Sequence, residues 1–172
     1  WGRCVMATVI RGSDNFDTAY AKSVAVIADV KSSSAYGGTF TAGAWRTRDL
    51  NTEVDDPSNI VTIASNQFTL QAGTYLVEWS TPAYKVDRHQ SRLQNITDST
   101  TEVLGTSEYS NDSDSVISRS MGASVVTITG AKAFEIQHYG ATTRASYGMG
   151  LNSNISNINS VLTIVKIHKI GA

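Results

Sequence analysis

The sequence predicts one nearly all-β domain of antiparallel sandwich type. Three observations carry that prediction. Val, Ile and Thr are used heavily between short Gly, Asn and Ser turns, several segments alternate apolar and polar residues with a period of two, and helix periodicity is almost absent. Branching at Cβ costs rotamer freedom in a helix and packs well on a pleated surface, so the residue choice reinforces the period. The 172 residues, 41% hydrophobic and 17% charged, fit a single domain able to bury a core.

Along the chain, residues 1–22 read as a linker from an upstream region and 23–172 as the domain. The linker combines an apolar run at 4–10 with Arg11-Gly12-Ser13-Asp14-Asn15. It starts at Trp1 without the basic start and small-residue cleavage site of a signal peptide, and is expected to continue from something longer. Residues 17–29 are the stretch most open to a helix, but Val24, Val26 and Ile27 favour a strand over 24–30. Gly37, Gly38 and Gly43 punctuate a short extended piece at 39–41. Residues 44–50 form the next strand, whose polar end is expected either to lie near an edge or to lead into a loop at 53–59 containing the turn Asp55-Asp56-Pro57.

Residues 60–63 and 68–70 are short strands, and Gln71-Ala72-Gly73 is a tight turn into 74–80. In that strand Tyr75, Val77 and Trp79 share one face, while Thr74, Leu76, Glu78 and Ser80 take the other. A period of two needs one covered face, so Trp79 is expected in the core. Residues 83–95 and 102–105 follow around the turn Thr97-Asp98-Ser99-Thr100, and then a polar loop at 107–115. Strands resume at 116–129, 133–139 and 161–170. Eight or nine strands with sequential turns and no fixed-period repeat point to a sandwich or barrel and away from propellers and solenoids.

Several function classes drop out. With 14 Lys and Arg against 15 Asp and Glu and no block of one sign, nothing marks a nucleic-acid or anionic-membrane partner. No stretch has the roughly 18 apolar residues needed to span a bilayer, so membrane insertion is not expected. The single Cys4 allows no internal disulfide and reads as a small buried hydrophobe. His89, His138 and His168 lie in no hydrolase or zinc motif, so no enzyme and no cofactor are expected. His138 reads as a satisfied, partly buried histidine beside Phe134 and Ile136, and His89 and His168 as solvated strand residues.

The hydrophobic first strand, the Gly-rich extended piece and Phe68-Thr69-Leu70-Gln71-Ala72-Gly73-Thr74-Tyr75-Leu76-Val77 together resemble the jelly roll of tumour necrosis factor and the complement globular heads. There a Phe-containing strand, an x-x-G-x-Tyr turn and an apolar strand form the centre. Residues 38–52, Pro82-Ala83-Tyr84-Lys85-Val86 and Phe134-Glu135-Ile136-Gln137-His138-Tyr139 are also similar to C-terminal domains of bacteriophage tail-fibre and virion proteins. That resemblance, covering roughly residues 24–170, implies a homotrimer of jelly rolls on a virion, as tail fibre, spike or head decoration. It implies other virion proteins as partners and a host cell-surface glycan or protein as receptor. A purely structural trimerisation or decoration domain is the alternative, and a glycan-acting enzyme a more remote one. By analogy, strands 24–30, 134–139 and 161–170 form the sheet nearest the threefold axis. Val26, Ile136, His138, Val165 and Ile167 then either make trimer contacts or fill the sandwich.

Candidate receptor contacts are Tyr109 and Asn111 in one polar loop, and Tyr147, Asn152 and Asn154 in another, where aromatic area meets amide groups. Calcium is the ion the chain could take, through Asp55 and Asp56 or Asp112 and Asp114, because hard cations gather oxygen ligands. Turn chemistry alone also selects these residues. Arg46 and Arg48 point to one face and are expected to pair with acids of a neighbouring strand or protomer.

Overall fold

The computed structural model describes residues 23–171, so the linker at 1–22 lies outside the described residues. Eleven strands are formed there: β1 (Val24–Lys31), β2 (Arg46–Thr47), β3 (Thr52–Asp55), β4 (Val61–Ala64), β5 (Gln67–Leu70), β6 (Gly73–Tyr84), β7 (Asp87–Asn95), β8 (Thr100–Ser110), β9 (Ile117–Ile128), β10 (Lys132–Gly140) and β11 (Ser160–Gly171). They build two antiparallel sheets, β3-β1-β11-β6-β9 and β4-β5-β10-β7-β8, with β2 added along β10. This is a jelly-roll β-sandwich. Among the described residues no helix is long and apolar enough to cross a membrane.

Alternation along each strand decides what fills the space between the sheets. Ile27, Val77, Trp79, Val165 and Ile167 enter from the first sheet, and Phe68, Leu70, Leu93, Phe134 and Ile136 from the second. The Phe68 and Phe134 rings stack with centroids 5.6 Å apart. Each large side chain fully removed from water contributes about 1.5–3 kcal/mol. The β4–β5 hairpin closes on Ser65-Asn66, both at positive φ, the type I′ geometry that matches strand twist. Asn66 then accepts from the Leu50 backbone N–H and donates to Asp49, tying the hairpin to the segment after β2.

The chain enters the first sheet at Ser23 and leaves it at Gly171, joined there by a Lys169 N–H to Ser23 carbonyl bond of 2.8 Å. At the opposite end lie the connections 32–45, 85–86, 111–116 and 141–159. Two of these zip together. Phe40 and Arg144 exchange backbone hydrogen bonds of 2.9 and 2.8 Å, and Gly37 N–H donates to the Gly150 carbonyl at 2.9 Å. Phe40, Ala83, Val86 and Met149 form a second small core beneath them.

Several expectations change. Residues 39–41 make only an isolated Phe40–Arg144 bridge, and of 44–50 only Arg46–Thr47 are strand. Residues 107–110, expected as loop, extend β8, and 52–55 form edge strand β3. Residues 134–139 belong to the sheet opposite β1 and β11. Of the threefold-contact candidates, Ile136, His138, Val165 and Ile167 are fully buried between the sheets, which removes them from any outer surface; Val26, half-buried, faces outward. Of the apolar residues on the two faces of β11, Val165 and Ile167 fill the sandwich itself, whereas Val161 and Ile170 are exposed.

Candidate binding groove

The second sheet turns one face to the core and the other to solvent. On the solvent face, Tyr139 of β10, Gln90 of β7 and Ser107 of β8 are cross-strand partners in one row, and Arg88 and Tyr109 form the next. Trp45, just before β2, meets Tyr139 edge-on with ring centroids 5.8 Å apart. These residues, with His89, Glu108 and Ala141, line an open groove of about 800 Å³.

The aromatic wall is held from the sheet. The Arg92 guanidinium carbon lies 4.3 Å from the Trp45 ring centroid, a cation–π stack. Arg92 is itself fixed, donating from Nε and Nη2 to Gln137 Oε1 at 3.0 and 2.6 Å and from Nη1 to Thr101 at 2.9 Å. Gln137 donates onward to Glu135, whose carboxylate also accepts from Thr47 and Gln67. The result is a platform with little rotamer freedom left. The groove rim differs: the side chains of Arg88 and Ser107 make no hydrogen bond among the described residues, and Gln90 uses only its amide N–H, toward Gly105.

Beneath the groove runs a buried chain of imidazoles. His89 Nδ1 lies 2.9 Å from His138 Nε2, and His89 Nε2 lies 2.7 Å from Ser118 Oγ. Ser118 donates to the Tyr109 carbonyl at 3.0 Å, so it accepts from His89 Nε2–H, and His89 Nδ1 accepts from His138. His138 Nδ1 is then a bare lone pair, the one buried side-chain nitrogen or oxygen without a partner among the described residues. Burial lowers the His89 pKa to about 4, with Glu108 opposing and Arg48 adding to the shift. His138 is held well below the ordinary value by burial, reinforced by Arg48 and His89. Both are neutral at pH 7. With its proton on a carbonyl, Ser118 has no base to activate it.

Arg48 is buried as well. Its guanidinium donates to Thr163 Oγ1 at 3.1 Å and to the Met149 carbonyl and sulfur, both at 2.6 Å. Burial lowers its pKa to about 10, against the pull of Asp29 and Asp49, which leaves it protonated at neutral pH. Arg46 donates to the Thr41 carbonyl. Among the described residues neither arginine pairs with a carboxylate of its own chain: the strand that carries Arg46 ends after two residues, and Arg48 beyond it turns inward.

The sequence-derived sites scatter. Tyr109 is exposed and lines the groove, whereas Asn111 caps its own loop by accepting from Ser113 and Asp114 N–H groups. Tyr147 packs edge-on between Tyr36 and Tyr84 at 5.7 and 5.5 Å. Asn152 donates to the Ser33 carbonyl, and Asn154 is exposed at positive φ. Asp56 accepts from the Ile60 and Val61 N–H groups, Asp112 from the Ser113 hydroxyl, and Asp55 pairs with Val26 at a sheet edge. Among the described residues no three His, Cys, Asp or Glu side chains gather to hold a metal, so Asp55, Asp56, Asp112 and Asp114 form no such group; turn capping accounts for Asp56. His89, expected in solvent, is buried, and His168 is half-buried 3.7 Å from Glu78. Sequence reading missed Trp45, Tyr139 and Arg92 as a unit; alternation does place Tyr139 on the solvent face, but nothing local brings Trp45 to it.

The outer face of the first sheet is also uncovered. Its cross-strand rows read Val24, His168, Leu76, Val125; then Val26, Lys166, Glu78, Ala123; then Ala28, Ile164, Ser80, Met121. Val24, Leu76 and Val125 on one side and Ile164 and Met121 on the other flank the charged Lys166 and Glu78, while Ala28 at the end of its row is buried. Val125 is 60% and Met121 51% exposed.

No family model and no curated protein matches this chain. The fold nevertheless places it in a well-populated class of solved structures, the jelly-roll globular domains. It is similar to the globular domain of zebrafish complement 1qA protein, with a TM-score of 0.56 and 13% identity over 87% of this chain and 98% of that one. The structure of Eiger TNF from S. frugiperda gives 0.56 and 13% over 86% and 91%, and murine APRIL at pH 8.5 gives 0.53 and 11% over 86% and 98%. At such identities the likeness is one of fold.

Proposed function

We propose that this domain is a non-enzymatic recognition module that works as a homotrimer at the tip of a phage fibre or related virion protein and binds a host cell-surface glycan or protein. The carrying observation is the uncovered outer face of β3-β1-β11-β6-β9, where Val24, Leu76, Ala123, Val125, Ile164 and Met121 surround Lys166 and Glu78. A sheet face with this much apolar area favours a partner that covers it, and the jelly-roll resemblance suggests a threefold ring, in which one surface of each copy meets a different surface of the next. The layout supports a tip: the chain enters and leaves at one end, and four connections gather at the other. Its viral setting rests on the resemblance of residues 38–52, 82–86 and 134–139.

Light scattering on the purified domain tests this. The expected mass is three times the 18.5 kDa of the chain. A stable monomer at micromolar concentration sinks the trimeric reading. The alternative glycan-acting enzyme gains no support, because neither Asp55 and Asp56 nor Asp112 and Asp114 line the groove.

A further inference from the structure

We infer that the groove on the solvent face of β10, β7 and β8 is a carbohydrate site that takes a neutral pyranose of a glycan against Trp45. This deepens the recognition reading and rests on it for the biological role, though not for the binding itself.

The solvent face of a sheet is ordinarily polar, and most of this one is, with Thr47, Gln67, Gln94, Thr101, Glu135 and Gln137 linked into a hydrogen-bonded network. The exception is concentrated. Trp45, Tyr139 and Tyr109 border one concavity, and Tyr109 and Tyr139 are exposed. Packing the core requires none of the three. The other surface aromatic group, Tyr36, Tyr84 and Tyr147, has its rings turned on one another.

Pyranoses present an apolar C–H face and an equatorial rim of hydroxyls. An aromatic ring fixed before binding suits the first, since no side-chain entropy is lost in ordering it. Trp45 meets that condition through the Arg92 stack and the Gln137–Glu135 relay beneath it. Groups with spare hydrogen-bonding capacity suit the second. Among the described residues the Arg88 and Ser107 side chains make no hydrogen bond, Gln90 keeps its carbonyl oxygen, and Glu108 accepts only one hydroxyl, from Thr106. Arg88 and Glu108 are the charged residues lining the groove, one of each sign, and Asp87 and Asp112 act on Tyr109 at its rim, so an acidic sugar meets no unopposed cation in the lining and a neutral one is favoured.

The test uses the intact domain, an array of neutral oligosaccharides built from glucose, galactose, mannose and N-acetylhexosamines, and a matched set of sialylated and uronic acids. Saturation-transfer NMR is expected to reach sugar ring protons for at least one neutral glycan. Trp45→Ala should weaken that binding tenfold or more, Arg88→Ala several-fold, and Tyr36→Ala should leave it unchanged. If Trp45→Ala fails to fold, Trp45→Phe and Arg88→Ala carry the comparison. Absence of binding to every neutral glycan, binding confined to acidic sugars or to peptides, or binding indifferent to Trp45 and Arg88 overturns the assignment. Light scattering on the same samples separates the two ideas: a monomer that binds sugar through Trp45 ends the trimer and keeps the site, and a trimer that binds none does the reverse.

Discussion

The indole of Trp79 fills the space above Gly122, its cross-strand partner: a Cβ on that glycine would collide with the ring. The same indole donates from Nε1 to Ser91 Oγ in the opposite sheet at 2.8 Å. One side chain thus sets both the spacing between sheets and the contact between β6 and β9. The ring is rigid and boxed in, so Gly122→Ala must displace it. A loss of about 1–3 kcal/mol is expected, as for other overpacked cores, read from the urea unfolding midpoint. An unchanged midpoint would show that the two strands part easily.

Arg48 pins the distal loops to the sandwich through Thr163 and Met149. Arg48→Ala leaves a cavity and unpaired polar groups together, a cost of about 3 kcal/mol or more. Arg48→Lys should also destabilise, because a single ammonium is harder to desolvate and cannot span both partners. Hydrogen exchange of the Gly37, Phe40 and Met149 amides, which bond across those loops, should accelerate in both variants before global stability is lost.

The buried imidazoles make stability depend on pH with a defined sign. Folded His89 and His138 resist protonation, whereas the unfolded chain takes up protons near pH 6.5. Below that pH the unfolded state binds more protons, so stability is full above about 6.5 and falls toward pH 4, by at most about 1.4 kcal/mol per pH unit for each histidine. Denaturant titrations at pH 7.5, 6 and 5 check it. His89→Asn combined with His138→Gln should flatten the slope, even though the variant is less stable at pH 7.5.

Position on β9 and β11 separates assembly from folding. Val125→Glu and Met121→Glu place charge on the exposed outer face and should reduce the light-scattering mass to that of one chain with the β-sheet circular dichroism intact. Val165→Glu buries a carboxylate in the core and should abolish folding altogether. A trimer that survives both outer-face changes places the interface elsewhere.

Many of the strands were legible along the chain. The alternation at Tyr75, Val77 and Trp79 put those three side chains inward, and all three are buried. Strand ends were less readable: the Ser107–Ser110 end of β8 looks like loop because an edge strand facing solvent carries loop-like polar residues. The groove was legible only through Tyr109. Trp45 and Arg92 are 47 positions apart in sequence, and nothing near either one announces the other.

The sequence by itself determined the class of fold, the approximate strands and the two-faced character of β6, because side-chain alternation is a local property with a period of two. Tertiary structure alone decided which strands share a sheet, so that β10 lies opposite β1 and β11 and Ile136, Val165 and Ile167 face one another rather than a neighbouring copy. It also decided that His89 meets His138 and that Arg48 reaches Met149. Such pairs depend on which strands lie side by side and in what register, a property of the closed chain as a whole. Alternation says that a residue has an inner or an outer face, and only the assembled sandwich says what stands across from it.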